Sequence, residues 1–378
     1  MERKLLFGLI KSLFSETENL DIPKNITESQ LKTLYTLSEK HDIAHLLAFA
    51  LEKNGIDLHG ETGKLFFKQK MLSIYRREQI DFEEERITSV FREEKIPFIP
   101  LKGAVIKNFY PEKWMRTSCD IDILVKPEDF KKAVTILLEK EGFLLERSGS
   151  RDYSLVSKRG VNLELHFAIT NEIDKRVNSV LERVWEFATP KKEGDFLFET
   201  TNEFLLFHTI AHAQYHFMDG GCGIRPVLDL WFLEKELHYS KETLSNLLNE
   251  TGSFDFHKGL ESLSKVWFEN KEYDDLTSSL EDYILQGGVF GSRFNLGATG
   301  SHKKGGWRKY ILNRIFMPKE KLELKYPSLK KHPLLLPFYH VRRWFGLLKK
   351  ENRKEAFNEF QGRRKGNATT KMLDRLGL

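Results

Sequence analysis

Two aspartates lie one residue apart where an apolar run begins, in the stretch CDIDILV (residues 119–125). Isoleucine and valine are typical of strands, and a strand directs alternate side chains to opposite faces. Asp120 and Asp122 are therefore expected to project from one face with their carboxylates close together, where they repel each other. Mg²⁺ is commonly held by one or two carboxylates, with water and substrate phosphates completing its shell. The pair predicts a site for Mg²⁺ or Mn²⁺.

A third acid occurs in the later stretch NLELHFAI, where Glu164 and His166 share one strand face. If this strand lies beside CDIDILV, Glu164 completes a cluster of three acids. Such a cluster can hold two metal ions, one for an attacking oxygen and one for a triphosphate. His166 has two open interpretations: a metal ligand or base, or a half-buried histidine hydrogen-bonded to a neighbour.

A Lys-Gly pair lies between a short apolar strand, IPFIPL, and a short helix, AVIKNFY. A glycine at the start of a helix lets backbone N–H groups face an anion. Lys102 adds a point charge, and Arg116 carries a guanidinium that can form two hydrogen bonds with phosphate oxygens. Lys102, Gly103 and Arg116 are therefore predicted to bind the phosphates of a nucleotide.

The periodicity of the chain predicts three regions. Residues 1–95 form an N-terminal helical region, in which Thr27 and Gln30 have the spacing of a capping box. Residues 96–200 alternate strands and helices in an α/β module with a mixed sheet. Residues 201–378 form a C-terminal helical region with a basic tail, with glycine-rich loops at 220–223 and 297–306. The predicted fold class is α+β.

Composition restricts the compartment. The chain has two cysteines, Cys119 and Cys222, so a disulfide framework is not expected. We therefore expect a cytoplasmic location. The N-terminal stretch MERKLLFGLIKSLFS has only a short apolar run and reads as an amphipathic helix, not as a signal peptide. No run reaches the roughly 20 apolar residues that a transmembrane helix needs.

Charge is distributed unevenly. Residues 301–378 contain 21 lysine and arginine residues against six acidic residues, so this segment carries +15 and the rest of the chain −10. Such a tail indicates an anionic partner, contact with the acidic body, or a solvated surface. Within it, HVRRWFGLLKK (340–350) is basic and amphipathic, which suits an anionic membrane surface or packing against the acidic body.

The helix predicted after residue 201 carries further candidates. His208, His212 and His216 are spaced four residues apart on one face, which favours either a zinc site or a packed row facing a cleft. Arg225 and Asp229 have the spacing of a helical ion pair, although Arg225 can alternatively face nucleotide phosphates. His166, His208, His212 and Arg225 are the possible cleft residues.

The segment PLKGAVIKNFYPEKWMRTSCDIDILV resembles the active-site region of the nucleotidyltransferase superfamily with the polymerase-β-like fold. More narrowly, it is similar to the bacterial family labelled uncharacterised nucleotidyltransferase, or nucleotidyltransferase family 5. Members have a Lys-Gly turn, an arginine, an Asp-hydrophobic-Asp strand and, later, an acid two residues before a histidine. The wider superfamily has Gly-Ser at the turn, so no serine hydroxyl is available there in this chain.

The resemblance implies a metal-dependent enzyme that moves a nucleoside monophosphate from ATP or another nucleoside triphosphate (NTP) to an acceptor and releases pyrophosphate. Asp120, Asp122 and Glu164 would be its catalytic and metal-binding residues. The acceptor is open among a small molecule, a sugar, a peptide, a protein and RNA. Two alternatives are an inactive nucleotide-binding or scaffold protein on the same fold, and a toxin-like enzyme that modifies tRNA or a protein.

Overall fold

A computed structural model describes residues 2–14, 22–23, 25–170, 174–303 and 366–378, together with 312, 315–319, 322–323, 326 and 328–347. The chain divides into two compact units. The first comprises Met1–Ala213 and Arg225–Glu272, and the second comprises Gln214–Ile224 and Tyr273–Leu378. The division into 1–95, 96–200 and 201–378 stays a prediction.

The first unit begins with four helices: α1 (Glu2–Phe14), α2 (Glu28–Lys40), α3 (Ala44–Lys53) and α4 (Gly60–Glu93). The predicted capping box at the start of α2 is confirmed. The Gln30 amide donates to the Thr27 hydroxyl over 3.3 Å, and the Thr27 amide donates to the Gln30 side chain over 2.9 Å. Both groups satisfy amides that the first turn of a helix leaves without partners.

A five-stranded sheet follows, made of β1 (Phe98–Pro100), β2 (Asp120–Val125), β3 (Leu144–Ser148), β4 (Asp152–Val156) and β5 (Asn162–His166). Its spatial order is β1-β2-β5-β4-β3. The β2–β5 pair is parallel and the other pairs are antiparallel. The predicted α+β class with a mixed sheet is confirmed. Strand β3 was not predicted, because all five of its residues are exposed and show no buried alternation.

Three helices lie along this part of the chain: α5 (Gly103–Ile106), α6 (Pro127–Glu139) and α7 (Lys175–Leu181). Helix α6 begins with Pro127 and carries Glu128 and Asp129 in its first turn, as the helix dipole favours. Its buried Ala133, Ile136 and Leu137 belong to the same core as the inward residues of β2 and β5. This core covers one face of the sheet, and the polar side chains of β2 and β5 project from the opposite face. A small hairpin sheet follows, made of β6 (Ala188–Pro190) and β7 (Phe198–Thr200).

The chain is helical from residue 202. The helices are α8 (Asn202–Met218), α9 (Arg225–Glu236), α10 (Lys241–Thr251), α11 (Phe254–Phe268), α12 (Asp275–Gly287) and α13 (Arg293–Lys303), followed by segments at Ser328–Lys331, Leu336–Leu347 and Gly366–Arg375. The loop predicted at 220–223 is confirmed. The loop predicted at 297–306 is wrong as far as Lys303, because α13 buries Ala298 and Thr299 and packing outweighs the low helix propensity of glycine. Residues 304–306 lie outside the described residues.

Within the described residues, no helix combines the length and the apolar character needed to cross a membrane. Cys119 and Cys222 are both free thiols. Residues 340–347 of the basic amphipathic segment are helical, and 348–350 lie outside the described residues.

Candidate active site

The register of two parallel strands brings the predicted acids together. Asp122 on β2 lies opposite Glu164 on β5, and Leu124 lies opposite His166. The alternate residues Ile121, Ile123, Leu163 and Leu165 are buried in the core. Burial of these side chains fixes the register, because a slip by one residue would move every apolar side chain to the polar face. Asp120, Asp122, Glu164 and His166 therefore share one face of the sheet.

Asp122 is the buried centre of this face, with 4% of its surface exposed. Its Oδ1 accepts a hydrogen bond from Lys102 Nζ over 2.8 Å and lies 2.9 Å from His166 Nε2. An ionised carboxylate only accepts hydrogen bonds, so Nε2 carries the proton of that contact. Burial alone would raise the pKa of the Asp122 carboxyl, but Lys102 and His166 together hold it well below its ordinary value. Asp122 is therefore a carboxylate at neutral pH.

Asp122, Glu164 and His166 form a compact group of possible metal ligands, with one ligand atom of each within 4.8 Å of the others. His166 Nε2 lies 3.6 Å from Glu164 Oε2. Burial and the charge of Asp122 raise the pKa of the Glu164 carboxyl. Carboxylate oxygens suit Mg²⁺ and Mn²⁺. An imidazole nitrogen binds a metal only without its proton, so His166 Nε2 cannot donate to Asp122 and bind the ion at the same time. The two carboxylates therefore fit a divalent cation.

Asp120 adjoins this group but does not belong to it, so the compact set differs from the predicted trio of acids. Asp120 Oδ1 lies 3.3 Å from the Ser118 hydroxyl. Burial and the charge of Asp122 raise the pKa of the Asp120 carboxyl. Among the described residues, no ammonium or guanidinium group forms an ion pair with Asp120, so an added positive charge would favour its ionised form.

The Lys102-Gly103 turn faces the start of β2. Lys102 has φ 46° and ψ −117°, a backbone conformation that favours glycine, and α5 is only four residues long. A Cβ atom on Gly103 would lie 2.8 Å from the Ser118 hydroxyl and 3.5 Å from Arg116 Nη1. Glycine is therefore required at 103 for this close approach. The close position of Ser118 was not anticipated, because nothing in the sequence connects the two positions.

A buried ion-pair network connects the segment after the turn to helix α4. Lys107, directly after α5, contacts the carboxylates of Asp81 and Glu84 on α4. Arg77 Nη2 donates to Asp81 Oδ1 over 2.7 Å. Breaking a buried pair of this kind leaves an uncompensated charge, so the network holds α4 against the turn. This network was not predicted, because Lys107 lies 26 residues from Asp81 and 23 residues from Glu84 in the chain.

The Arg116 guanidinium forms an ion pair with the Asp229 carboxylate and does not project freely toward the acids. Its Nε donates to Asp229 Oδ1 over 2.8 Å and its Nη2 donates to Oδ2 over 2.9 Å. Nη1 donates to the Thr117 carbonyl over 2.7 Å, and the Tyr110 hydroxyl donates to Asp229 Oδ1 over 2.7 Å. The side of the guanidinium that can form two parallel hydrogen bonds was predicted to bind phosphate. In the structure, this side binds the Asp229 carboxylate. Its contact with phosphate stays a prediction.

The predicted ion pair between Arg225 and Asp229 is wrong. Asp229 is occupied by Arg116, and Arg225 Nη2 instead contacts the carboxylate of Asp42 and donates to the Thr117 hydroxyl over 3.2 Å. Asp42 lies in the short connection between α2 and α3. Arg225 therefore joins the N-terminal helices to the residues that precede β2.

A comparison with known families agrees with this geometry. The sequence profile of a family described as uncharacterised nucleotidyltransferase matches residues 27–268, well over half of the chain. The chain belongs to this nucleotidyltransferase family. No curated protein sequence matches it significantly. The matched span contains every residue of the candidate site and also Asp42 and Asp229.

One histidine of the α8 row lies at the candidate site. His208 is buried near Lys102, Asp122 and His166, and burial together with Lys102 lowers its pKa to about 4, so it is neutral at pH 7. His212 is half-buried. His216 belongs to the second unit. Within the part of the chain that the structure describes, the compact ligand groups are Asp122–Glu164–His166 and Glu234–His257–Glu261, and the three histidines belong to neither.

Proposed function

We propose that the chain transfers a nucleoside monophosphate from an NTP to an acceptor hydroxyl and releases pyrophosphate, using Mg²⁺ or Mn²⁺. The observation that carries the proposal is the pairing of Asp122 with Glu164 across two parallel strands, with His166 beside both. This arrangement supports a site in which protein carboxylates and substrate phosphates share one cation. Membership of the nucleotidyltransferase family supports the same reaction class.

In the transfer step, the acceptor oxygen forms a bond to the α-phosphorus while the bond from that phosphorus to the leaving pyrophosphate breaks. Glu164, the most solvent-accessible of the compact ligands, takes the hydroxyl proton; 30% of its side chain is exposed. Its raised pKa makes it a better base than an ordinary carboxylate. When bound, the divalent cation would supply positive charge to the triphosphate and the acceptor oxygen.

The remaining residues bind and orient the substrate. Lys102 and the backbone of Gly103 face the triphosphate, and Asp122, Glu164 and the adjoining Asp120 hold the cation. His166 fixes the Asp122 carboxylate through its 2.9 Å contact. Arg116, through Asp229, positions the segment that leads into β2. Positioning and preorganised charge contribute most of the rate in reactions of this class.

The test is incubation with each α-phosphate-labelled NTP, Mg²⁺ and a cell extract. Label should appear on one acceptor and should be lost in the variants Asp120→Asn and Asp122→Asn. Glu193→Gln is the matched control, because it removes an exposed acid outside the site. Absence of labelled acceptor with all four nucleotides, or label that persists in both aspartate variants, would refute the proposal.

A non-catalytic nucleotide-binding module is the second candidate. The observation in its favour is that Lys102 and His166 already satisfy Asp122 Oδ1 without a metal ion. Calorimetric titration with each NTP separates the two candidates. Binding without consumption of the nucleotide in any extract would favour the second.

Charge substitutions in the basic tail can test whether the acceptor is anionic. Deleting residues 341–378 would remove the buried side chains of Met372, Leu373 and Leu376, so charge substitutions are the cleaner test. We expect a triple glutamine variant of exposed Arg342, Lys371 and Arg375 to weaken binding of an anionic acceptor and to reduce its salt dependence. A triple glutamine variant of exposed Lys68, Lys131 and Lys192 is the control. Equal salt dependence in both variants would exclude this role for the tail.

A further inference from the structure

A lysine ammonium lies among the three carboxylates of the site. Lys102 Nζ is 2.8 Å from Asp122 Oδ1, and three-quarters of the Lys102 side chain is buried. A lysine that donates a short hydrogen bond to a carboxylate keeps its proton at neutral pH. The ammonium is therefore a fixed positive charge in the free protein. It lies where a cluster of acids would otherwise require a metal ion.

The backbone at this position is strained. Lys102 has φ 46° and ψ −117°, which only glycine adopts readily. Residues other than glycine that are held in such a region cluster at functional sites. Position 102 therefore carries a long side chain where the backbone favours glycine, and that side chain reaches the Asp122 carboxylate.

We propose that Lys102 serves as a permanent cation of the site, so that the enzyme uses one divalent cation where three clustered carboxylates would otherwise hold two. The inference rests on the proposed function, because it concerns the same triphosphate site. With Lys102 paired to Asp122 Oδ1, the three carboxylates and the ammonium have a net charge of −2, which a single divalent cation balances. The facing carboxylates of Asp122 and Glu164 offer ligands for that one ion.

The experiment counts bound Mn²⁺ by equilibrium dialysis in the presence of a saturating, non-hydrolysable α,β-methylene analogue of each NTP in turn. We expect one Mn²⁺ per chain in the wild-type complex and in Lys102→Arg, which keeps the charge. In Lys102→Met, which keeps the length of the side chain and removes the charge, we expect two. Two ions in the wild type, or one in Lys102→Met, would overturn the proposal.

The outcomes separate this inference from the proposed function. No Mn²⁺ binding with any analogue would refute the proposed function and the inference together. Two ions in the wild type would refute only the inference.

A second measurement does not depend on whether Lys102→Met folds. The wild-type count alone tests the proposal, because a second Mn²⁺ ion in the wild-type complex would contradict a permanent internal cation.

Discussion

Asp122 and Glu164 are directly opposite each other on parallel strands, yet their carboxylates lie in different environments. The Asp122 side chain is 4% exposed and paired with Lys102, whereas the Glu164 side chain is 30% exposed, with Arg147 Nη2 at 3.8 Å. The pKa of Asp122 is lowered and that of Glu164 is raised. One carboxylate is thus a fixed charge and the other is able to exchange a proton, which is the division of roles that general-base catalysis needs.

The two aspartates of the motif should affect stability differently. Asp122→Asn leaves the Lys102 ammonium without its anionic partner, and we expect the free energy of unfolding to fall by about 1–3 kcal/mol. Asp120→Asn removes a carboxylate that Asp122 repels, so stability should stay equal or rise. Urea unfolding at pH 7 without metal measures both. Equal losses in the two variants would contradict the environments described for these residues.

The stability changes caused by Asp122→Asn and Asp120→Asn should have opposite signs, and both should depend on pH. The pKa of Asp122 is lower in the folded protein, so its stabilising contribution is present above its unfolded pKa of about 4 and is lost as the pH falls. The pKa of Asp120 is raised, so its unfavourable contribution is absent below that pH and appears as the pH rises. Unfolding experiments between about pH 2 and pH 7 should therefore show an Asp122→Asn penalty that shrinks below about pH 4 and stays constant above it, and an Asp120→Asn gain that grows as the pH rises above about 4. A pH-independent difference would argue against these shifts.

Gly103→Ala should impair transfer through Ser118. The new Cβ atom would lie 2.8 Å from the Ser118 hydroxyl, which donates to the Asp120 carbonyl over 2.9 Å. We expect at least a roughly tenfold loss of transfer rate and a loss of about 1–3 kcal/mol in unfolding free energy from overpacking. Adding Ser118→Gly should restore most of the stability.

Gly8→Ala is the matched control for Gly103→Ala, since a Cβ atom on Gly8 in α1 meets nothing within 4 Å. It should leave transfer unchanged and raise stability by about 0.5–1 kcal/mol, because alanine favours the helix. If both variants lost activity alike, the approach of Ser118 to the turn would not be the cause.

Arg116→Lys distinguishes positioning from phosphate binding. Lysine keeps the charge but cannot form the two parallel hydrogen bonds to Asp229, so we expect a loss of about 1.5–3 kcal/mol in unfolding free energy. Asp229→Asn should cost a similar amount, and the double variant should lose less than the sum of the two. Weaker NTP binding in Arg116→Lys with unchanged stability would instead assign Arg116 to the phosphates.

The strand-borne part of the site was predictable, because it depends on local alternation. The DID motif and Glu164 needed only the two-residue period of a strand and one assumption about which strands are neighbours. The partners of the basic residues were not predictable. Arg116 and Asp229 are 113 residues apart, and the spacing of Arg225 and Asp229 suggested a local pair that the tertiary structure replaces. Strand β3 escaped prediction because an exposed edge strand carries no burial pattern.

The contacts of Arg116 and Arg225 have a consequence for how this protein can be divided. An isolated fragment of residues 96–200 would contain the three acids, but it would lack Asp229 for the buried guanidinium of Arg116. Both Arg225 and its partner Asp42 lie outside that fragment, on opposite sides of it. The helices that flank the sheet are therefore part of the site's scaffold and cannot be exchanged independently between relatives. Recombination within the family should preserve Asp42, Arg116, Arg225 and Asp229 as a set.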